Sequence, residues 1–147
     1  MTAQEKLQIA AEIADLNVEY WYDVDRRNGA GAHGFYTEDG VFTTSLKSRT
    51  GQAAIQAFYQ GRQAGEKART ARHVITNQRV LVQDTDNATS DWILLLHAAD
   101  GAPVLPSVPA IMIADVHDVC RRGADGCWRY RSRTISAVFK SDTPTTG

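Results

Sequence analysis

The stretch Arg72-His73-Val74-Ile75-Thr76-Asn77 marks the point where this chain passes from helical to β character. Before it, apolar residues recur at three- and four-residue steps; from Thr70 onward, short runs rich in β-branched residues are separated by turn signals. Four strands are predicted in this half, over residues 72–83, 88–98, 110–121 and 127–139. Asp84-Thr85-Asp86-Asn87 supplies a tight hairpin connection. The segment 101–109 holds Pro103, Pro106 and Pro109, which cannot donate to a ladder, so it is read as a long loop suited to a lid or an oligomer contact. The polar tail 141–147 is expected to fray.

Working back from Arg72, residues 51–65 predict a helix with Ala54, Ile55, Phe58 and Tyr59 as its buried stripe. Residues 41–45 read as a strand led in by the turn Thr37-Glu38-Asp39-Gly40, and a short helical segment spans 33–36. Residues 4–27 predict a long amphipathic helix with Leu7, Ala10, Ala11, Ala14, Val18, Trp21 and Tyr22 on one face. Asp25 follows Trp21 and Tyr22 by one turn and projects near that face, and Asn28-Gly29-Ala30-Gly31 ends the helix. Helix, short helix, strand, helix and four antiparallel strands make an α+β layout. In it, helices cover a strongly curved sheet and enclose a small-molecule pocket, a cone.

At 147 residues the chain is expected to form one domain. Its formal net charge of −1 gives no global field for nucleic acid or an anionic membrane. The amino terminus lacks signal architecture and no apolar run is long enough to span a bilayer, so a cytoplasmic location is expected. Cys120 and Cys127 flank a predicted hairpin across which a disulfide could form, though a reducing cytoplasm favours two free thiols; no His/Cys cluster has zinc spacing, so no metal is expected.

A carboxylate at a helix C-terminus opposes the helix dipole, so Asp25 calls for a nearby partner, and from the residues alone Arg26 or Arg27 is the simpler one. His73 is a candidate, because an imidazole with an ordinary pKa near ~6.5 becomes a general base at neutral pH once a carboxylate orients it. Tyr20, Trp21 and Tyr22 occupy adjacent helix positions and cannot all face one pocket. Tyr20 is read as the hydrogen-bond donor to substrate, with Tyr22 as the fallback, and Asp23 is placed at the surface. Asn77 is read at the pocket rim or bonded to backbone. Arg129, Arg131 and Arg133 alternate along the last strand, which predicts one solvated face paired with acids such as Asp115. The alternative has Arg133 polarising a substrate oxygen or binding a leaving group. His33 is expected to be exposed, and His97 and His117 to be satisfied or exposed strand residues.

Several of these pieces, taken in order, resemble the SnoaL-like branch of the NTF2-like superfamily, which has a cystatin-like fold. They are Tyr20 through Asp25, Phe35-Tyr36-Thr37-Glu38-Asp39-Gly40-Val41-Phe42, and Gly51 before a helix with Ile55 and Phe58. Arg72 through Asn77, and Gly126-Cys127-Trp128-Arg129-Tyr130 leading to Arg133, complete the set. Within that branch the chain is similar to the group of scytalone dehydratase, hexachlorocyclohexane dehydrochlorinase and bile-acid dehydratase. The resemblance implies a cofactor-free lyase or isomerase, with Asp25 and His73 as a catalytic pair and Tyr20 beside them; Tyr22, Trp21, Asn77 and Arg133 are read toward the substrate from their own positions. It also implies a small, largely apolar substrate and a homodimer or homotrimer. No residue matches the first-helix lysine of some dehydrochlorinases, since Tyr20 stands near that place, so dehydration or isomerisation is at least as well supported as halide elimination. Two other roles belong to the same superfamily: a non-catalytic assembly domain such as a dioxygenase β subunit, and a polyketide cyclase or epoxide-opening enzyme using Asp25 with another partner.

Overall fold

The structure, a computed structural model, describes residues 1–45, 47–63 and 68–145. Helix α1 (Ala3–Arg27) starts on a capping box. The Glu5 N–H donates to Thr2 Oγ1 at 3.1 Å, and the Thr2 N–H donates to the Glu5 carboxylate at 2.6 Å. Its buried row is Ile9, Ile13, Asn17, Tyr20, Trp21 and Val24, rotated from the predicted face. Leu7, Val18 and Tyr22, expected inside, are 66%, 54% and 47% exposed. The reason is Asn17: a polar residue in the middle of the true row hides its periodicity, yet it is drawn inward by hydrogen bonds from Arg133 and Tyr130.

The end of α1 shapes the site above it. Asn28 (φ 55) and Gly29 (φ 72) both turn left-handed. Asp23, expected at the surface, is buried and accepts the Gly31 N–H at 3.0 Å, because the chain doubles back over it. A Cβ on Gly29 would lie 2.3 Å from Tyr59 Cδ1. Gly29→Ala is therefore expected to cost roughly 1–3 kcal/mol through backbone strain and displacement of the Tyr59 ring; chemical unfolding read by fluorescence measures it.

A 3₁₀ turn (Ala32–Phe35) leads to β1 (Tyr36–Thr43), and β2 (Ser48–Thr50) precedes helix α2 (Gln52–Gln63). The predicted helix residues 64 and 65 lie outside the described residues. His33, expected exposed, is half-buried in the 3₁₀ turn, with its Nδ1 enclosed. Strands β3 (Arg69–Val82), β4 (Asn87–Asp100), β5 (Met112–Arg122) and β6 (Trp128–Lys140) follow as a meander. The sheet runs β2-β1-β6-β5-β4-β3. All its pairs are antiparallel except β1 with β6, which is parallel. The predicted turn at Thr37–Gly40 is absorbed into β1 as a register shift between Tyr36 and Val41.

Bulges bend the sheet around the helices. In β6, Tyr130 pairs with Cys120 and Ser132 with Val119, so Arg131 is an extra residue. The bulge flips the side-chain parity. Arg129 and Arg131 stay outside, paired with Asp125 and Asp39, whereas Arg133 turns into the core and is fully buried. The shared solvated face predicted for the three arginines is thus corrected. In β3 a second bulge lies between Thr76 and Arg79. Asn77, at φ 55 within it, is thrown to the outer face.

Glu12 ties the first half of α1 to the sheet, accepting from Trp128 Nε1 at 2.8 Å and Arg122 at 2.9 Å. The cysteines are free, Cys120 buried and Cys127 exposed. No helix among the described residues is long and apolar enough to cross a membrane.

Candidate active site

The concave face of the sheet, α1 and α2 enclose a cavity of about 60 Å³, several times the ~10–15 Å³ a single water requires. Trp21, Phe42, Phe58, Tyr59, His73, Leu94, Leu96, Met112 and Ile135 make most of its wall. Apolar residues dominate because the inward positions of five strands converge there; the few polar groups are then conspicuous.

Asp25 and His73, 48 residues apart, meet at this wall. The Asp25 carboxylate takes two hydrogen bonds from one residue: His73 Nδ1 lies 2.6 Å from Oδ1, and the His73 backbone N–H donates to Oδ2 at 2.8 Å. The pairing requires the proton on Nδ1, which leaves Nε2 as the ring nitrogen available to the cavity. The Trp21 indole lies flat against the imidazole, ring centres 4.0 Å apart and planes 15° from parallel. Carboxylate and indole together fix the ring in position and orientation.

Burial is the largest influence on the His73 pKa and pushes it below its ordinary 6.5; the Asp25 hydrogen bond and charge pull it partly back, and Arg62 and Arg133 add to the lowering. The net direction is down, so the ring is neutral at neutral pH. It can accept a proton, and Asp25 and the Trp21 face then stabilise the cation that forms.

Tyr20 does not line the cavity. It is fully buried one layer behind, where its hydroxyl bonds that of Tyr59 and accepts from Tyr36 at 3.2 Å. Neighbouring helix positions diverge by about 100°, and Trp21 takes the cavity side. The phenol that reaches the cavity is Tyr59 on α2. Burial pushes its pKa well above the ordinary value, so it stays protonated as a donor. Tyr22 is exposed beneath Arg26 and Arg27. Asn77 lines an outer groove with Arg79, Asp91, Asp115 and His117. His117 pairs there with Asp91 at 2.6 Å, both half exposed, and His97 lies beside Arg72 under the 101–109 loop. Neither histidine enters the cavity.

Arg133 supports the site from below rather than lining it. Its guanidinium grips Asp118 through two bonds of 2.8 Å, and Asp118 also accepts from Trp92 Nε1 at 2.9 Å. Its remaining bond, 2.7 Å, goes to Asn17 Oδ1. Burial works against this cation, and the Asp118 carboxylate more than offsets it. The same guanidinium lies 4.0 Å from the centre of the Tyr130 ring and 5.4 Å from that of Trp21, the platform of His73. Tyr59, Arg62 and the Arg133–Asp118 pair were missed by sequence reasoning. For α2, the signal was Phe58-Tyr59 followed one turn later by Arg62. Among the described residues no group of three or more His, Cys, Asp or Glu is placed to hold a metal.

Residues 5–134 match the SnoaL-like domain family, and the chain belongs to it. No curated protein matches the chain. Among solved structures, ActVI-ORFA from Streptomyces coelicolor is 25% identical, covering 89% of this chain and 98% of its own with a TM-score of 0.76. A scytalone dehydratase-like protein from Novosphingobium aromaticivorans superposes at TM-score 0.82 with 16% identity, covering 98% of this chain and 93% of its own. A protein from Nostoc punctiforme described as having a cystatin-like fold is 19% identical at TM-score 0.70, with 93% of each chain covered. The expected fold class is thereby shown.

Proposed function

We propose that this protein is a cofactor-independent lyase or isomerase of the dehydratase type, in which His73 removes a proton from a carbon of a small, largely apolar substrate. One observation supports this above the rest: an imidazole held by Asp25 at 2.6 Å and by the Trp21 face sits in the wall of an apolar cavity. In the dehydration form, Nε2 takes the proton from the carbon beside a carbonyl. The freed electron pair moves onto the carbonyl oxygen as an enolate. The enolate either takes a proton or solvent deuteron back from the imidazolium or expels the β hydroxyl as the C=C bond forms. In the expulsion the imidazolium returns the proton to the departing hydroxide, so water leaves and the enzyme ends unchanged. Tyr59, backed by Tyr20, donates a hydrogen bond to the carbonyl oxygen as it gains charge. Such general base catalysis supplies about 10²–10⁴-fold, with the donor adding to it.

The test uses cyclic β-hydroxy ketones in deuterated water, followed by mass spectrometry. Deuterium entry at the α carbon and loss of water are expected; a panel giving neither would overturn the reading. Because the His73 pKa lies below 6.5, kcat/KM should be level at neutral pH and fall only below that value. Asp25→Asn removes an influence that raises this pKa. The acid limb should then move to still lower pH while the plateau drops, and a limb that stays in place would remove Asp25 from the positioning role.

A further inference from the structure

Arg62 stands at the same cavity as His73 and, beyond helping to lower the His73 pKa, has no assigned part in the reaction described above. It occupies the last turn of α2, where a cation suits the helix dipole. That accounts for an arginine at this point in the chain, but not for its facing an apolar cavity. Its guanidinium packs on the Tyr59 and Phe58 rings, 5.4 and 5.9 Å from their centres, which holds it in place without a carboxylate. Among the described residues it forms no ion pair, although arginines 69, 122, 129, 131 and 133 each find an acid.

A second guanidinium reinforces the same sign of charge. Arg49 is buried, lies 3.8 Å from the centre of the Phe58 ring, and among the described residues bonds Thr44 Oγ1 and the Lys47 carbonyl, with no partner there for its Nε. Thus, among the described residues, two arginines without acid partners flank Phe58 and no Asp or Glu lines the cavity. Among the described residues, the carboxylate bonded to the cavity's histidine, Asp25, is engaged by His73. An apolar, low-dielectric space bounded by an uncompensated cation attracts an anion more strongly than bulk water allows.

We infer that Arg62 is an anion-binding residue of this cavity, and that the substrate is an organic acid whose charged oxygen docks on Arg62 while its acidic carbon faces His73. This deepens the proton-abstraction reading and rests on it for the placement of the carbon. The binding claim stands separately: it requires only that the cavity prefer an anion to a neutral molecule of the same shape.

The experiment compares benzoate with benzamide, two small probes of near-equal shape, by calorimetric titration of the full chain. The wild type is expected to bind the acid at least ~10-fold more tightly than the amide, a preference that weakens with salt. Arg62→Gln should abolish the preference while leaving amide binding unchanged, and Arg62→Lys should keep part of it. His73→Gln should keep it in full, which separates Arg62 from any attraction by a protonated imidazole and frees the result from turnover. Equal binding of the two probes by the wild type, no binding of either, or a preference that survives Arg62→Gln would overturn the inference. If the preference holds while no deuterium exchange is found, the reaction is wrong and the anion site stands.

Discussion

His73→Ala is expected to lower proton-abstraction turnover by about 10²–10⁴-fold while leaving the fold in place. The side chain lies at the cavity wall, and its loss leaves the Asp25 carboxylate still bonded to the backbone N–H of residue 73. The carboxylate is therefore not stranded, which is why folding should survive. The space vacated beside Trp21 is bounded by the indole face on one side and the carboxylate on the other. Added imidazole should enter it and restore part of the rate, a response that a merely structural role would not give. Turnover by His73→Ala equal to the wild type would sink the assignment, and rates of deuterium exchange measure it directly.

Asp118→Ala should instead act on stability, by about 3–5 kcal/mol. It removes both acceptors from a guanidinium that is wholly buried, and it also orphans Trp92 Nε1. A cation left alone in the core is far more costly than the ion pair is favourable. Adding Arg133→Met should therefore recover part of the loss, since an apolar side chain of similar length needs no partner. Urea unfolding of the single and double variants measures both effects. A double variant less stable than Asp118→Ala would mean that the arginine contributes more through Asn17 and the surrounding rings than it costs when unpaired.

The fold was legible because its signals are local: the caps and turns, the change of period near Thr70, and the ordered pieces that resemble the SnoaL-like branch. The meeting of Asp25 and His73 was legible only because that resemblance joined two residues 48 apart. What escaped has specific causes. Strand alternation put Arg133 outside, and a single inserted residue, Arg131, reversed it. Asn77, read at the pocket rim or bonded to backbone, lies in the β3 bulge and is sent to the outer face. On α1 an apolar search passes over Asn17 and so finds the wrong row, because a buried amide is identified by its partners, which lie more than a hundred residues away. Tyr20 was indicated by the resemblance, which places a tyrosine before the aspartate, whereas α2 brings Tyr59 between Tyr20 and the cavity.

The second bond of Asp25 has a consequence for the whole molecule. Strand β3 is the last in the sheet, and its outer side offers unpaired N–H groups that another chain's strand could take up. The Asp25 carboxylate occupies one of these donors, at His73. A single acid thus orients the imidazole and blocks an open edge. Substitutions at residue 25 should accordingly be screened for self-association as well as for rate. A lineage that abandoned the chemistry would still have reason to keep the aspartate as a guard against strand-to-strand aggregation.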